Sequence, residues 1–266
     1  MRVGIAGARG RMGRLLVRAV VEHPEAVLAG GSVRAGSPAA GADLGTLAGL
    51  GPIGLAATDD PAALFAASQV VIDFTGPEAL GRHLDEAIGQ RKALVIGTTG
   101  LSPDQERAIA EAARAVPIVF AANFSMGVTL LAALVRRAAA ALGPEFDIEI
   151  LEMHHRQKVD APSGTALALG RAAAAGRGIA LEDNMEAARH GHTGRRRDGA
   201  IGFAVLRGGQ VVGEHTVILA GAAEHVVLGH RSFDRRVYAE GAVRAALWLA
   251  GKPPGLYGME EVLGLA

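Results

Sequence analysis

Cysteine is missing from all 266 residues. Its absence excludes disulfides, thiolate zinc sites, iron–sulfur clusters and cysteine nucleophiles together, and it suits a reducing cytosol. An excess of either charge is also missing: 27 Lys and Arg balance 27 Asp and Glu. Nucleic-acid and membrane-surface binders select a basic surplus, so neither partner is expected. The densest basic cluster, Arg195-Arg196-Arg197, reads as a solvated loop. No apolar run reaches the roughly 18 residues of a membrane span; Arg136 and Arg137 interrupt the alanine-rich stretch 132–142. The opening MRVGIAGARG lacks the apolar core of a secretory signal, and a cytoplasmic location is expected. No HExxH or similar ligand spacing stands out among the nine histidines, so no metal is expected. Internal repeats and low-complexity linkers are absent.

What the chain does have, in its first half, is an alternation of short apolar runs with helical periodicity. That is the pattern of βαβ units around a parallel sheet. Residues 3–6, 27–33, 70–74, 93–97 and 118–121 read as buried strands. Helix starts lie between them: Asp60 before Pro61, Gly76 before Pro77, and Ser102-Pro103 with Gln105 as a capping box. The expected fold class is α/β, a doubly wound parallel (Rossmann-like) sheet with its ligand beyond the carboxyl ends of the strands.

After Asn123 the pattern changes. A long helix over about 127–142, a strand at 147–153 and a second helix from Ser163 are followed by a polar segment, 176–199, that resists assignment. Strand-like runs at 201–206, 212–220 and 225–231 come next, with Arg207-Gly-Gly-Gln210 as a hairpin signal between the first two. A last helix over about 235–249 follows Asp234, before the Pro253-Pro254 stop. These elements make a second, α+β domain on a small, mostly antiparallel four-stranded sheet. One helical layer covers one face of such a sheet, and the uncovered face suits an oligomer.

Two segments carry chemistry. The first is Arg2-Val-Gly-Ile-Ala-Gly-Ala-Arg-Gly-Arg-Met-Gly13, a strand, then glycines at 7, 10 and 13, then a helical run. Such glycines permit a tight turn, and the helix start offers N–H groups to a pyrophosphate. The spacing is GxxGxxG rather than GxGxxG, so a plain structural turn stays open beside dinucleotide binding. At the second strand end, Gly31-Ser-Val-Arg34 has one arginine and no acid, which favours NADP over NAD; a solvated arginine is the alternative. Gly97-Thr-Thr-Gly100 and Ala121-Ala-Asn-Phe124 fall at strand ends on the same rim, where they could line a nicotinamide ribose and ring or serve as ordinary turns.

The second segment runs from Glu152 to Ala166. It gathers His154, His155, Arg156 and Lys158 just before a helix start at Ser163. Strand alternation should turn His154 and His155 to opposite sides. With Ser163 as N-cap, Gly164 and Thr165 would offer helix-start N–H groups to a carboxylate, and Lys158 adds an ammonium donor. Imidazoles pass protons near neutrality, so the segment suits holding a small anionic substrate and protonating it as a hydride arrives. Neighbouring positive charge should lower the histidine pKa.

Together with Val71-Ile-Asp-Phe-Thr75, Gly191-His-Thr-Gly194 and Gly213-Glu-His-Thr216, these motifs resemble the 4-hydroxy-tetrahydrodipicolinate reductase (dihydrodipicolinate reductase) family of diaminopimelate–lysine biosynthesis, over essentially the whole chain. The resemblance implies reduction of 4-hydroxy-tetrahydrodipicolinate to tetrahydrodipicolinate with NAD(P)H. It implies a nucleotide domain over 1–125 plus 235–266, a substrate and oligomerisation domain over 126–234, and a homotetramer. Independently of the resemblance, the expected mechanism is domain closure over both ligands on hinges near 125 and 235. The resemblance makes His154 the acid/base residue and Lys158 the proton donor or substrate-positioning cation. His155, Gly164 and Thr165 then bind the substrate dicarboxylate. Gly7, Ala8, Arg9, Gly10, Arg11, Met12, Arg34, Gly97, Thr98, Thr99, Ala121, Ala122, Asn123 and Phe124 hold the cofactor. Many members have a glutamate where this chain has Val33 and often accept both cofactors; its loss points to NADPH over NADH. The alternatives are a nicotinamide-dependent reductase of a related keto- or imino-dicarboxylate, or a non-catalytic dinucleotide sensor.

Overall fold

Each expected strand of the first half forms in the computed structural model, which describes residues 1–187 and 189–265. They are β1 (Arg2–Ala6), β2 (Val27–Gly31), β3 (Val70–Asp73), β4 (Ala93–Ile96) and β5 (Pro117–Phe120). The last four end one or two residues sooner than their apolar runs, because an apolar run marks burial and not where the ladder stops. Between them lie α1 (Arg11–Glu22), α2 (Leu44–Ala48), α3 (Pro61–Ala67), α4 (Pro77–Gln90) and α5 (Pro103–Ala112). The caps are those the sequence signals. Asp60 accepts from the Ala62 N–H at 3.0 Å, and Ser102 with Gln105 closes a reciprocal capping box.

The second unit starts with α6 (Met126–Leu142) and β6 (Asp147–His154). It continues through α7 (Gly164–Arg177), α8 (Leu181–Asn184), β7 (Met185–Glu186), β8 (Ile201–Arg207), β9 (Gly213–Ala220) and β10 (His225–Ser232). Contacts divide the chain into residues 1–126 with 236–264, and residues 127–235.

In the second unit the sheet order is β10-β9-β6-β8-β7. Two features correct the sequence reading. The two-residue β7 adds a fifth strand, and with β6/β8 and β7/β8 parallel against β6/β9 and β9/β10 antiparallel the sheet is mixed. Also, β8 and β9 form no hairpin, because β6 lies between them. The Gly208-Gly209 turn instead passes over the end of β6. The Gly208 N–H donates to the His154 carbonyl at 3.0 Å, and Arg156 N–H donates to the Gly209 carbonyl at 3.3 Å. A Gly-Gly pair encodes a reversal, not which strand the returning chain meets.

Ile148, Ile150, Ile201, Phe203, Val217 and Leu219 face α6 and α7 in one core. The opposite face exposes Leu151, Leu206 and Val227. The unassigned segment before β8 is tied down by arginines. Arg189 forks onto Glu149 and also holds Glu186. Arg196, read from sequence as part of a solvated loop, instead bonds Glu149, Asp147 and the carbonyls of Ile148 and Ala200.

The chain returns to the first unit as α9 (Arg236–Trp248), β11 (Gly255–Tyr257) and α10 (Met259–Leu263). The sheet order there is β11-β5-β4-β3-β1-β2, every pair parallel. Strand β11, just past the proline pair, was not foreseen. Alternate strand residues feed two cores: Val3, Ile5, Val70, Ile72 and Val95 pack with α1 and α9, while Val71, Leu94, Ile96 and Ile118 pack with α3, α4 and α5. Burial on both faces is what makes these strands read as continuous apolar runs.

Candidate active site

In the first unit the glycine loop is shaped by close approach. Gly7 has φ +73°, which L side chains rarely adopt. A Cβ on Gly13 would lie 2.1 Å from the Gly7 carbonyl oxygen and 2.8 Å from the Ala8 Cα, so only glycine lets α1 start against the loop. Gly10 precedes α1 with no side-chain cap, leaving first-turn N–H groups for an anion. Beside this loop a cavity of about 850 Å³ is lined by Gly7, Arg9, Gly10, Arg34, Thr75 and His83, among others. The cradle, the helix start and the arginines fit a dinucleotide diphosphate.

The remaining expected cofactor residues divide. Ala8 is buried, Met12 packs on the core, and Arg11 is exposed at the start of α1. Gly97, Thr98 and Thr99 follow β4, and Ala121, Ala122, Asn123 and Phe124 follow β5, on the same carboxyl-end rim but outside that cavity. A Cβ on Gly97 would meet the Phe74 ring at 2.3 Å. Thr98 is buried and its Oγ1–H donates to the Thr75 carbonyl at 3.4 Å. Phe124 is buried with its ring 5.2 Å from that of Phe74, so only its main chain can face a ligand.

Sequence reasoning missed several residues here. Asp59 and Glu78 also line the cavity, supplying carboxylates that the end of β2 lacks. Asp73, fully buried at the end of β3, accepts from the Thr75 N–H and Oγ1–H at 2.8 and 2.6 Å and lies 2.7 Å from His83 Nδ1. The Val-Ile-Asp-Phe-Thr motif was the available signal, but spacing alone did not bring His83 to it.

In the second unit, β6 ends at His154, so strand alternation stops before His155. Glu152 and His154 share a face, and both are buried. Glu152 Oε2 lies 2.6 Å from His154 Nδ1. Arg207, opposite His154 on β8, forks onto Glu152 at 2.8 and 2.9 Å. The Ser163 N–H donates to Glu152 Oε1 at 3.0 Å, while Ser163 Oγ caps α7 by accepting from Ala166 N–H at 3.1 Å. On β9, His215 stands opposite Glu152, its ring 5.1 Å from that of His154, with His230 of β10 a further 6.3 Å on. Lys158 Nζ bonds Asp160 at 2.9 Å, and Arg207 also donates to the Asp160 carbonyl at 2.6 Å. His155 is half-buried with its Nδ1 enclosed and unbonded. Gly164 opens α7 with free space beside it, next to Thr165.

The electrostatics follow from these contacts. Burial is the main force lowering the His154 pKa; Glu152 opposes it, and Lys158 and Arg207 add to it. The expected direction is right, but desolvation outweighs neighbouring charge. Burial raises the Glu152 pKa, yet Arg207, His154 and the Ser163 N–H together hold it below the ordinary carboxylate value. A carboxylate that stays ionised beside a histidine that sheds its proton easily is a poised proton-transfer pair.

Residues 1–124 match the family described as dihydrodipicolinate reductase, N-terminus, and residues 127–263 match dihydrodipicolinate reductase, C-terminus. The chain belongs to the dihydrodipicolinate reductase family. The 4-hydroxy-tetrahydrodipicolinate reductase of Brucella abortus (strain 2308) is 55% identical over 262 residues, covering 98% of each chain. That of Methylocella silvestris is 56% identical over 265 residues, covering 100% of this chain and 97% of its own. Among solved structures, dipicolinate-bound dihydrodipicolinate reductase from Paenisporosarcina sp. TG-14 aligns with a TM-score of 0.76 at 26% identity, covering 98% of both chains. An amine dehydrogenase from Mycobacterium smegmatis, 14% identical with a TM-score of 0.60 over 98% of this chain and 95% of its own, shares the fold. Membership makes the chain an oxidoreductase that uses a nicotinamide dinucleotide.

Proposed function

We propose that this chain reduces 4-hydroxy-tetrahydrodipicolinate with NAD(P)H and a proton to tetrahydrodipicolinate, the 4-hydroxyl leaving as water, in diaminopimelate and lysine biosynthesis. The observation that carries the reading is the buried His154 held by Glu152 beside Lys158 and the α7 start, in a chain whose other unit carries a diphosphate-shaped glycine loop.

Residues 1–125 with 235–266 act as the dinucleotide domain, of which Ala266 lies outside the described residues, and residues 126–234 as the substrate and oligomerisation domain. Bound NAD(P)H supplies the hydride. Gly7, Arg9 and Gly10 hold the diphosphate with the first-turn N–H groups of α1. The main chain at Ala8, Arg11, Met12, Gly97, Thr98, Thr99, Ala121, Ala122, Asn123 and Phe124 completes the cofactor site. In the substrate domain, Gly164 and Thr165 present N–H groups to one carboxylate, and His155 and Lys158 take the other. His154 exchanges the proton that balances the incoming hydride, and Lys158 shares that role through its ammonium. A soluble, cytoplasmic homotetramer assembles through the open face of the second sheet, where Leu151, Leu206 and Val227 are exposed.

Arg34 supports a preference for NADPH, because no acid stands at the end of β2; Asp59 and Glu78 near the same cavity support retained NADH use. Purified protein given freshly generated pathway substrate should oxidise NADPH and accumulate tetrahydrodipicolinate. Faster oxidation with another keto- or imino-dicarboxylate would overturn the substrate assignment.

A further inference from the structure

We propose that Glu152 is a positioning residue for His154, fixing the Nδ1–H tautomer so that Nε2 is the atom that exchanges the proton, and that Arg207 sets the strength of that hold. The inference rests on the reading of His154 as the proton-transferring residue.

Four donors converge on one fully buried carboxylate. Its Oε2 meets His154 Nδ1 at 2.6 Å and Arg207 Nη1 at 2.8 Å; its Oε1 meets Arg207 Nη2 at 2.9 Å and Ser163 N–H at 3.0 Å. An ionised carboxylate only accepts, so the shared hydrogen with His154 sits on Nδ1, and in the neutral imidazole Nε2 carries the lone pair. That nitrogen faces Gly213, where a Cβ would approach it to 3.1 Å. Burying a carboxylate without partners is costly. Glycine at 213 and a buried glutamate at 152 therefore make sense together: one leaves room at Nε2 and the other commits Nδ1.

Arg207 does two things at once. It takes part of the Glu152 charge that would otherwise stabilise the imidazolium, and it reaches the Asp160 carbonyl, whose side chain holds Lys158. One guanidinium thus ties the two groups assigned to proton transfer. The charged and titratable groups facing His154 are Glu152 on its own strand, Lys158 in the following loop, Arg207 on β8 and His215 on β9, which in turn contacts His230 on β10. Neutralising Glu152 removes the group that favours the imidazolium, and neutralising Arg207 removes one that opposes it. The two changes must therefore move the His154 titration in opposite directions, which a merely structural role would not do.

The test is the pH profile of kcat/KM for pathway substrate and NADPH in wild type, Glu152→Gln and Arg207→Gln, with His154→Gln identifying the limb that belongs to His154. Glu152→Gln is expected to lower kcat by about tenfold to 10²-fold, a large part of a general acid–base contribution, with substrate KM changed less than about threefold. Its limb should move to lower pH, and the Arg207→Gln limb to higher pH. Limbs that stay in place, or move together, overturn the proposal. Long-range ¹H–¹⁵N spectra of the wild-type imidazoles decide independently of how the variants fold: neutral His154 should be protonated on Nδ1, and protonation on Nε2 would overturn the proposal. If His154→Gln retains full activity while wild-type His154 is protonated on Nδ1, the failure lies with the functional reading; since positioning His154 would then serve no turnover, the proposal falls with it.

Discussion

At the scale of the residue, His215 makes the sharpest claim on stability. It is 3% exposed, and its pKa is pushed down to about 4, first by burial and then by His154 and His230. An unfolded histidine titrates near its ordinary value, about 6.5. The folded pKa is the lower one, so between these values the unfolded chain binds the proton that the folded chain refuses. Stability is full above about pH 6.5 and declines as pH falls towards 4, by about 3 kcal/mol for a shift of this size. Urea unfolding across that window should show the decline in wild type and a shallower one in His215→Gln; equal slopes would contradict it. Glu152 shows what spacing can and cannot carry. Two residues apart on a strand, Glu152 and His154 were bound to share a face. Nothing local indicated that Arg207, 55 positions away, would complete the carboxylate's bonds.

Elements were most legible where the signal is short-range. The Asp60, Ser102 and Ser163 caps all hold the backbone N–H groups their positions promise. The hairpin at Arg207 failed because turn residues do not specify a partner, and β11 was missed because three residues carry too little pattern. Close element packing gives a further test. A Cβ on Gly241 of α9 would sit 1.8 Å from the Phe124 carbonyl oxygen, whereas one on Gly229 of β10 meets nothing nearer than 3.7 Å. Gly241→Ala should therefore lose about 1–3 kcal/mol in urea unfolding, as overpacked sites do, and Gly229→Ala much less. Equal losses would refute the packing account. Gly13→Ala should add a loss of NADPH affinity to its own destabilisation, read by fluorescence titration.

For the whole molecule, the doubly wound sheet was readable because both its faces are buried, so apolar runs and helical periodicity alternate without ambiguity. The second sheet was harder: its strands alternate, but order and direction depend on long-range pairing that single strands do not encode. Its open apolar face leads to an expectation about assembly. For the tetramer proposed to assemble through that face, Leu151→Glu with Leu206→Glu should lower the sedimentation mass; an unchanged mass would contradict that interface. Cofactor choice belongs to this scale too, since Arg34, Asp59 and Glu78 come from separate segments of one cavity. A higher kcat/KM with NADPH than with NADH is expected, narrowing in Arg34→Ala, and a clear NADH preference would refute the assignment of Arg34. The most direct measurement is steady-state turnover of pathway substrate by wild type, His154→Gln and Lys158→Ala, with NADPH affinity measured alongside. Both variants should lose kcat by about 10²-fold or more while binding NADPH as wild type does. Wild-type kcat in both would contradict the account.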